Sequence, residues 1–120
     1  MGYVRVRALL GSPQRTRVEE TDFLVDTGAY YTALPPKLTE SLAIKPVAKV
    51  ELLVANKRKV EAQLSYAYIK IDEREGVLPV AIMEAPEPIL GVTALEGLGI
   101  KVDPTTGKIE YTRPYGLAML

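Results

Sequence analysis

Cysteine and histidine are both absent from this 120-residue chain, and their absence narrows the chemistry that the chain can carry out. Without cysteine there is no disulfide framework and no thiol nucleophile, and without either residue there is no Cys/His metal site. A Ser-His-Asp triad is also excluded within one chain. General acid–base chemistry therefore falls to Asp, Glu, Lys or Tyr side chains.

An excess of charge of either sign is lacking as well. Fifteen Lys and Arg residues balance fifteen Asp and Glu residues, and the isoelectric point is near 6.3. Proteins that bind nucleic acid or an anionic membrane usually carry a basic excess, so we expect neither partner. No apolar run approaches the roughly 20 residues of a membrane span, and the first residues lack a signal-peptide pattern. A cytoplasmic protein is therefore expected.

The remaining composition is that of a folded globular domain. The sequence is 48% hydrophobic and 25% charged, which is an ordinary balance for a soluble domain. Its length suits one domain over residues 1–120. Nine Gly and nine Pro residues divide it into short, mostly alternating apolar runs, and such runs are typical of β-strands. We expect a mainly β domain with two short helices.

The apolar runs and the turn residues between them predict the order of the strands. Strands are predicted at residues 3–10, 15–25, 32–34, 47–54, 59–71, 77–83, 100–102 and 108–111, with a turn over residues 72–76 and a short buried segment at residues 89–91. Residues 47–54 and 59–71 should form a long hairpin, because Asn56 tolerates the left-handed conformation that a tight turn requires.

Two short helices are predicted from capping signals. Pro36 fits the first turn of a helix over residues 37–42. Thr93 is the expected N-cap of a second helix that extends to residue 98, and Gly99 follows at the position of a C-terminal cap.

The segment at residues 23–29, Phe-Leu-Val-Asp-Thr-Gly-Ala, holds the strongest candidate for chemistry. Asp26 ends an apolar run, where an ionisable group is costly to bury unless something specific stabilises it. Gly28 permits a turn in which backbone N–H groups approach the carboxylate, and Thr27 offers a hydroxyl that can hold the loop rigid. The pattern predicts a carboxylate presented at the mouth of a loop. The alternative is a simple Asx turn that ends a strand.

Four segments together carry a resemblance to a known family. They are apolar-Asp-Thr-Gly-Ala at residues 25–29, Thr-Ala-Leu-Pro at 32–35, Ile-Leu-Gly at 89–91 and Leu-Glu-Gly-Leu-Gly at 95–99. This combination resembles the retropepsin-like aspartic proteases, and most closely their small prokaryotic members. The resemblance covers residues 3–110, and the spaced second motif makes it more specific than Asp-Thr-Gly alone.

The resemblance implies a fold and an activity. The fold would be a single retropepsin-like acid-protease domain, a closed β-barrel-like lobe with a flap hairpin and one or two short helices. The activity would be that of an aspartic endopeptidase that hydrolyses extended or unfolded polypeptide without a metal or other cofactor.

The resemblance also implies roles for individual residues. Asp26 would be catalytic, Thr27 would interlock with its mate across a dimer axis, and residues 89–91 would cross behind the loop. The residues expected to contact substrate are Gly28, Ala29, Tyr30 and, at the flap tip, Val54, Ala55, Asn56 and Lys57.

A single Asp-Thr-Gly implies two chains, because aspartic protease chemistry uses two carboxylates around one water. Asp22, Asp72 and Asp103 lack the flanking pattern, and each has a plain structural role on a polar strand or in a turn. A twofold homodimer would place two Asp26 side chains on its axis. The apolar tail at residues 112–120 is expected to pair across that interface.

Two departures from the retroviral pattern leave an alternative open. Tyr30 and Val92 stand where retroviral enzymes carry an acid and an arginine, and the flap tip at residues 55–58 has no glycine. The glycine-free flap tip and Tyr30 favour a catalytically weak peptide-binding or dimerisation module with the same fold. A plain β-domain with an accidental Asp-Thr-Gly would require residues 89–91 and the helix after them to be coincidental as well.

Overall fold

The computed structural model describes residues 4–54 and 56–114, and this part of the chain is mainly β. It contains, in order, β1 (Arg5–Gly11), β2 (Val18–Val25), β3 (Thr32–Leu34), α1 (Pro36–Ser41), β4 (Ala48–Leu53), β5 (Lys59–Ile71), β6 (Arg74–Ile82), β7 (Ile89–Leu90), α2 (Val92–Leu98), β8 (Ile100–Val102) and β9 (Ile109–Tyr111). A mainly β domain with two short helices was expected, and this is confirmed.

Seven of these strands form one sheet in the order β1-β2-β7-β3-β6-β5-β4. The sheet closes on itself because the end of β5 also pairs with β1, with Leu9 opposite Lys70 and Gly11 opposite Tyr68. The first half of β5 pairs with β4, so the β4–β5 hairpin extends beyond the closed part. The result is the barrel-like lobe that the resemblance implied, with one projecting hairpin.

Alternation along the strands places the core inside the barrel. In β1, Val6, Ala8 and Leu10 are buried while Arg5 and Arg7 are exposed, as the two-residue period of a strand requires. Helix α2 covers the base of the barrel with its buried residues Ala94, Leu95 and Leu98. The other fully buried large side chains include Phe23, Leu34, Ile69, Ile71, Val80 and Leu90.

Helix α2 begins earlier than the sequence suggests, and Thr93 is not its N-cap. The N-cap is Gly91, and Thr93 lies in the first turn, where its buried hydroxyl has no hydrogen-bond partner among the described residues. The N–H groups of Val92 and Thr93 bond the carbonyls of Ala29 and Tyr30 at 2.8 and 2.9 Å, so partners outside the helix satisfy its first donors. Gly99 has a φ of 67° and ends the helix as predicted.

The tip of the β4–β5 hairpin uses Lys57, not Asn56, as its left-handed residue. Lys57 has a φ of 63° and donates its N–H to the carbonyl of Val54 at 2.8 Å. In a hairpin loop built around a turn, the left-handed residue follows the turn. Here it is Lys57, one position later than the predicted Asn56. Asn56 contributes differently, because its side-chain oxygen accepts the N–H of Arg58 at 3.1 Å.

Turns also shift the beginnings of three other elements. β2 begins at Val18 and not at residue 15, because Arg15 is left-handed (φ 58°) and bonds back to the carbonyl of Ser12. β6 begins at Arg74 because the turn before it is short, with Asp72 left-handed (φ 53°) and Ile71 already opposite Arg74. Helix α1 spans Pro36–Ser41, one residue earlier than predicted.

The described part of the tail is bound to helix α2 of the same chain. The N–H of Thr112 bonds the carbonyl of Gly99 at 2.7 Å, and the Arg113 guanidinium donates to the carbonyls of Glu96 and Gly97. The rest of the predicted interface tail, residues 115–120, lies outside the described residues. No helix in the described part of the chain is long and apolar enough to cross a membrane.

Candidate active site

Asp26 directly follows β2, and a tight turn presents its exposed carboxylate. The backbone N–H of Gly28 donates to Asp26 Oδ1 at 2.9 Å, and the N–H of Ala29 donates to the Asp26 carbonyl at 3.1 Å. A β-carbon on Gly28 would lie 3.2 Å from Asp26 Oδ1, which is a tight contact. A backbone N–H group therefore contacts the carboxylate as predicted, and the same contact forms the Asx turn that was the alternative interpretation.

Strand β7 holds the Asp26 loop (residues 26–31) from behind. β7 runs parallel to β2, with Val25 opposite Leu90, and antiparallel to β3, with Ala33 opposite Ile89. The N–H of Asp26 itself bonds the Leu90 carbonyl at 3.0 Å. The loop therefore connects β2 to β3, and β7 lies between these two strands. Three paired strands thus fix the two ends of the loop.

Gly91 closes this arrangement at the end of β7. A β-carbon there would lie 2.4 Å from the carbonyl oxygen of Tyr31, a distance that real β-carbons do not adopt. Its N–H donates to the side-chain oxygen of Thr32 at 3.0 Å, and Thr32 is completely buried. The glycine of the Ile-Leu-Gly motif is therefore required by close packing against the Asp26 loop.

A cleft of about 660 Å³ opens beside Asp26. Three parts of the chain form its walls: the Asp26 loop, the tip of the β4–β5 hairpin and the segment that follows β6. The lining residues are Asp26, Gly28, Ala29, Tyr30, Tyr31, Ala33, Leu52, Leu53, Val54, Lys57, Ala81, Met83, Glu84, Ala85, Pro86 and Ile89. Most of these side chains are apolar, as in sites that take a ligand out of water and orient it with a few polar groups.

Two adjacent tyrosines form part of the cleft wall next to Asp26. The rings of Tyr30 and Tyr31 meet edge to face with centroids 4.9 Å apart. Tyr30 is 66% exposed although it is large and mostly apolar. An exposed aromatic side chain beside a concave apolar surface is suited to contact with a ligand or a partner chain.

Most of the residues expected to contact substrate do come together. Gly28, Ala29, Tyr30, Val54 and Lys57 line the cleft with Asp26. Thr27 and Asn56 are exposed but are not among the lining residues, and Ala55 lies outside the described residues.

Several functional residues were not predicted from the sequence. The sequence features that could have identified them differ from residue to residue. Glu84 follows the apolar strand β6 much as Asp26 follows β2, and this shared pattern could have identified it. Thr32 does not line the cleft but supports the Asp26 loop from behind, and it could have been recognised as a polar residue inside a short buried strand. Leu52, Ala81 and the other apolar lining residues carried no such signal.

The other predicted structural aspartates lie away from the cleft lining. Asp22 bonds the Arg7 guanidinium at 3.0 Å, and this hydrogen bond together with the positive charge lowers the pKa of Asp22. Asp103 accepts hydrogen bonds from the Thr105 hydroxyl and backbone N–H, which lower its pKa. Within residues 4–54 and 56–114, no group of three or more acidic side chains is placed to hold a metal ion.

Comparison with known proteins agrees with this geometry. Residues 16–94 match the sequence model of a family described as aspartyl protease. The fold is similar to the solved structure of EIAV protease complexed with the inhibitor HBY-793, with a TM-score of 0.68 and 21% sequence identity. The match covers 85% of this chain and 93% of the EIAV protease chain. No curated protein sequence matches the chain.

Proposed function

Since the chain belongs to the aspartyl protease family and is an aspartic peptidase, we propose that it is an endopeptidase that acts as a twofold homodimer on extended or unfolded polypeptide. One observation carries this proposal: the exposed Asp26 carboxylate is braced by the Gly28 N–H at the edge of a large apolar cleft. A carboxylate fixed by the backbone and open to a concave surface is suited to act on a bound molecule.

The proposed chemistry needs two carboxylates that share one proton. The ionised carboxylate accepts a proton from a water molecule, while the protonated one donates a hydrogen bond to the scissile carbonyl. The water oxygen bonds to the carbonyl carbon and gives a tetrahedral intermediate. When the C–N bond breaks, the nitrogen takes up a proton and the pair of carboxyl groups again holds one.

A second copy of the chain is the simplest source of the second carboxylate. Glu84 is the other acidic residue among the described residues that line the cleft, but it makes no hydrogen bond with Asp26. Asp22 and Asp103 lie away from the cleft lining, where their carboxylates accept hydrogen bonds from Arg7 and Thr105. A twofold axis that passes beside Asp26 would bring two identical carboxylates together, with Thr27 positioned to interlock with its mate.

The β4–β5 hairpin is proposed to act as the flap that covers the substrate. Its tip residues Val54 and Lys57 face the same cleft as Asp26, and β4 is the last strand of the sheet. An extended polypeptide could lie between this hairpin and the Asp26 loop, with Gly28 and Ala29 beside its backbone and Tyr30 beside a side chain. The apolar lining would then receive alternate side chains.

A peptide-binding or dimerisation module that cleaves poorly remains the second candidate. The observation that favours it is the hairpin tip, where Lys57 holds a left-handed conformation without a glycine. A stiffer tip would close less readily over a substrate and so would exclude water less well. The two candidates differ in whether the chain uses Asp26 to cleave a bound peptide.

The test compares Asp26→Asn with Asp72→Asn across a diverse peptide library, with cleavage followed by mass spectrometry over a range of pH. Asp72 is a matched control because it is exposed and left-handed, a conformation that Asn tolerates. We expect Asp26→Asn to abolish cleavage and Asp72→Asn to retain it, with all three proteins dimeric by sedimentation. A dimer that binds peptides without Asp26-dependent cleavage would support the binding module. A monomer that cleaves would contradict the need for two chains.

A further inference from the structure

Glu84 occupies a special position in the cleft, because it places an unneutralised negative charge in a mostly apolar wall. It lies two residues after Ile82, the last residue of β6, is exposed, and lines the cleft together with Asp26. Within residues 4–54 and 56–114, it forms no ion pair with any Lys or Arg side chain. Nearby Glu87, by contrast, is paired with Arg5 and does not line the cleft.

The backbone that carries Glu84 is fixed at both ends. Before it, the N–H of Met83 bonds the Leu34 carbonyl at 3.1 Å, which extends the pairing of β6 with β3. After it, the carbonyl of Pro88 accepts the N–H of Leu24 at 3.0 Å. The carboxylate therefore sits on a segment whose backbone is held at both ends, so little backbone conformational entropy would be lost when a ligand binds to it.

A two-pronged ion pair adds to this rigidity. Arg5 donates from Nε to Glu87 Oε1 at 3.2 Å and from its terminal nitrogen to Oε2 at 3.0 Å, in the bidentate geometry that gives the strongest directional contact. This pair joins the start of β1 to the segment that carries Glu84. The same segment supplies Ala85 and Pro86 to the cleft wall, so Glu84 and its apolar neighbours are held as one surface.

Another part of the cleft lining carries a positive charge. Lys57, at the tip of the β4–β5 hairpin, is the cation among the described residues that line the cleft, and it is not within ion-pair distance of Glu84. A basic side chain of a bound peptide would be repelled by Lys57 and attracted by Glu84. Because Lys57 and Glu84 are both exposed, each effect has the modest size that is usual for charges near a protein surface.

From this arrangement, and resting on the proposed function, we infer that Glu84 is a specificity-determining residue that receives a lysine or arginine side chain of the substrate. The apolar lining takes neighbouring side chains of the same peptide, and the charge on Glu84 selects the register in which that peptide lies. The favoured substrate is a polypeptide with apolar residues close to one basic residue.

The experiment uses a set of peptides that share an apolar centre and differ at one scanned position, which holds Lys, Gln or Glu. The values of kcat/KM are measured for the wild-type protein, Glu84→Gln, Glu84→Lys and the control Glu73→Gln, which removes the same charge from an exposed turn. We expect the wild type and the control to prefer Lys over Gln by about 2- to 5-fold at one position, as expected for an ion pair near the surface. Glu84→Gln should lose this preference, and Glu84→Lys should prefer Glu.

Two outcomes would overturn the inference. If all four proteins show the same preference among Lys, Gln and Glu at the scanned position, Glu84 does not recognise the charge of the substrate. If Glu84→Gln abolishes cleavage of every peptide as Asp26→Asn does, Glu84 belongs to the acid pair and is not a specificity residue.

A binding measurement distinguishes failure of the proposed function from failure of the specificity role of Glu84. In the Asp26→Asn background, the anisotropy of labelled peptides measures affinity without any need for cleavage. If the wild type cleaves nothing but Asp26→Asn binds Lys peptides in a Glu84-dependent manner, the proteolytic function fails and the specificity role holds. If no peptide of the set binds, the specificity role fails as well.

Discussion

The buried hydroxyl of Thr32 accepts a hydrogen bond from the backbone N–H of Gly91, 3.0 Å away, although 59 residues separate them in the chain. This bond joins the start of β3 to the end of β7, directly behind the loop that presents Asp26. Because both groups are buried, neither can form a replacement hydrogen bond with water if the other is lost. A polar contact in the interior therefore supports the backbone behind the Asp26 loop, in addition to the contacts within the Asp-Thr-Gly segment.

Thr32→Val tests this contact, because valine keeps the branched shape and removes the acceptor. The N–H of Gly91 would then be buried without a partner, which costs about 1–3 kcal/mol. We expect the free energy of unfolding in urea to fall by that amount, and any Asp26-dependent cleavage to fall with it. Thr32→Ser keeps the acceptor and loses one methyl group, so its loss should be about 1 kcal/mol. A Val variant more stable than the Ser variant would contradict the role of the hydrogen bond.

Gly91→Ala tests the close approach of β7 to the Asp26 loop. The added β-carbon would meet the Tyr31 carbonyl oxygen at 2.4 Å, and backbone atoms cannot move aside as a flexible side chain can. We expect a loss of about 3 kcal/mol or more in urea unfolding, at the upper end of what overpacking costs.

Gly76→Ala is the matched control for this change. A β-carbon at Gly76, in strand β6, would find its nearest neighbour at 3.6 Å, an ordinary contact distance. We expect the free energy of unfolding of this variant to stay within about 0.5 kcal/mol of the wild type. Equal losses in the two variants would show that the clash at Gly91 is relieved by movement of the loop.

The sequence was most informative where short-range chemistry decides the structure. The positions of β3, β5 and β8 follow from alternation and turn residues, and their predicted bounds agree with the structure. Gly99 was predicted as a left-handed cap because only the local backbone is involved. The Asp26 turn belongs to the same class, since Gly28 braces a carboxylate two residues away.

Features set by distant contacts could not be predicted in this way. Gly91 replaces Thr93 as the N-cap of α2 because carbonyls of the Asp26 loop satisfy the first helical donors, and a local pattern does not contain that loop. The cleft wall at Met83 and Glu84 depends on the pairing of β6 with β3, which is its neighbour in the sheet but distant in the sequence. Such residues share no sequence motif, so only the closed sheet brings them together.

Lys57→Gly tests the strain at the hairpin tip. A residue with a β-carbon at a φ of 63° is disfavoured by roughly 1–2 kcal/mol, whereas glycine adopts this conformation freely. Glycine also makes the unfolded chain more flexible, which offsets about 0.5–1 kcal/mol of the gain. We expect the variant to be between unchanged and about 1.5 kcal/mol more stable in urea unfolding.

Arg58→Gly, one residue along the same tip, provides the comparison. Arg58 is not among the left-handed residues, so its replacement relieves no strain and only makes the unfolded chain more flexible. We expect it to lose about 0.5–1 kcal/mol. If both glycine variants lose the same free energy of unfolding, the left-handed conformation of Lys57 is not a source of strain.

Asp103 gives the turn between β8 and β9 a dependence on pH that can be measured. The Thr105 hydroxyl, followed by the backbone N–H groups of Thr105 and Thr106, bonds its carboxylate and lowers its pKa below the ordinary value of 3.8. Because the folded pKa is lower than the unfolded one, the carboxylate stabilises the fold above pH 3.8. That contribution is lost as the pH falls from there through the folded pKa. Asp103→Asn keeps an acceptor oxygen but does not titrate, so its stability should fall less between about pH 6 and about pH 3 in urea unfolding.

Thr105→Val identifies the cause of that dependence, because it removes the largest of the contacts that lower the Asp103 pKa. In the wild-type background it should bring the folded pKa closer to the unfolded one and so reduce the loss of stability in acid. In the Asp103→Asn background it should leave the pH dependence unchanged, because the group that titrates is already gone. An equal effect of Thr105→Val in both backgrounds would show that the acid sensitivity comes from another carboxylate. Identical pH profiles for the wild type and Asp103→Asn would lead to the same conclusion.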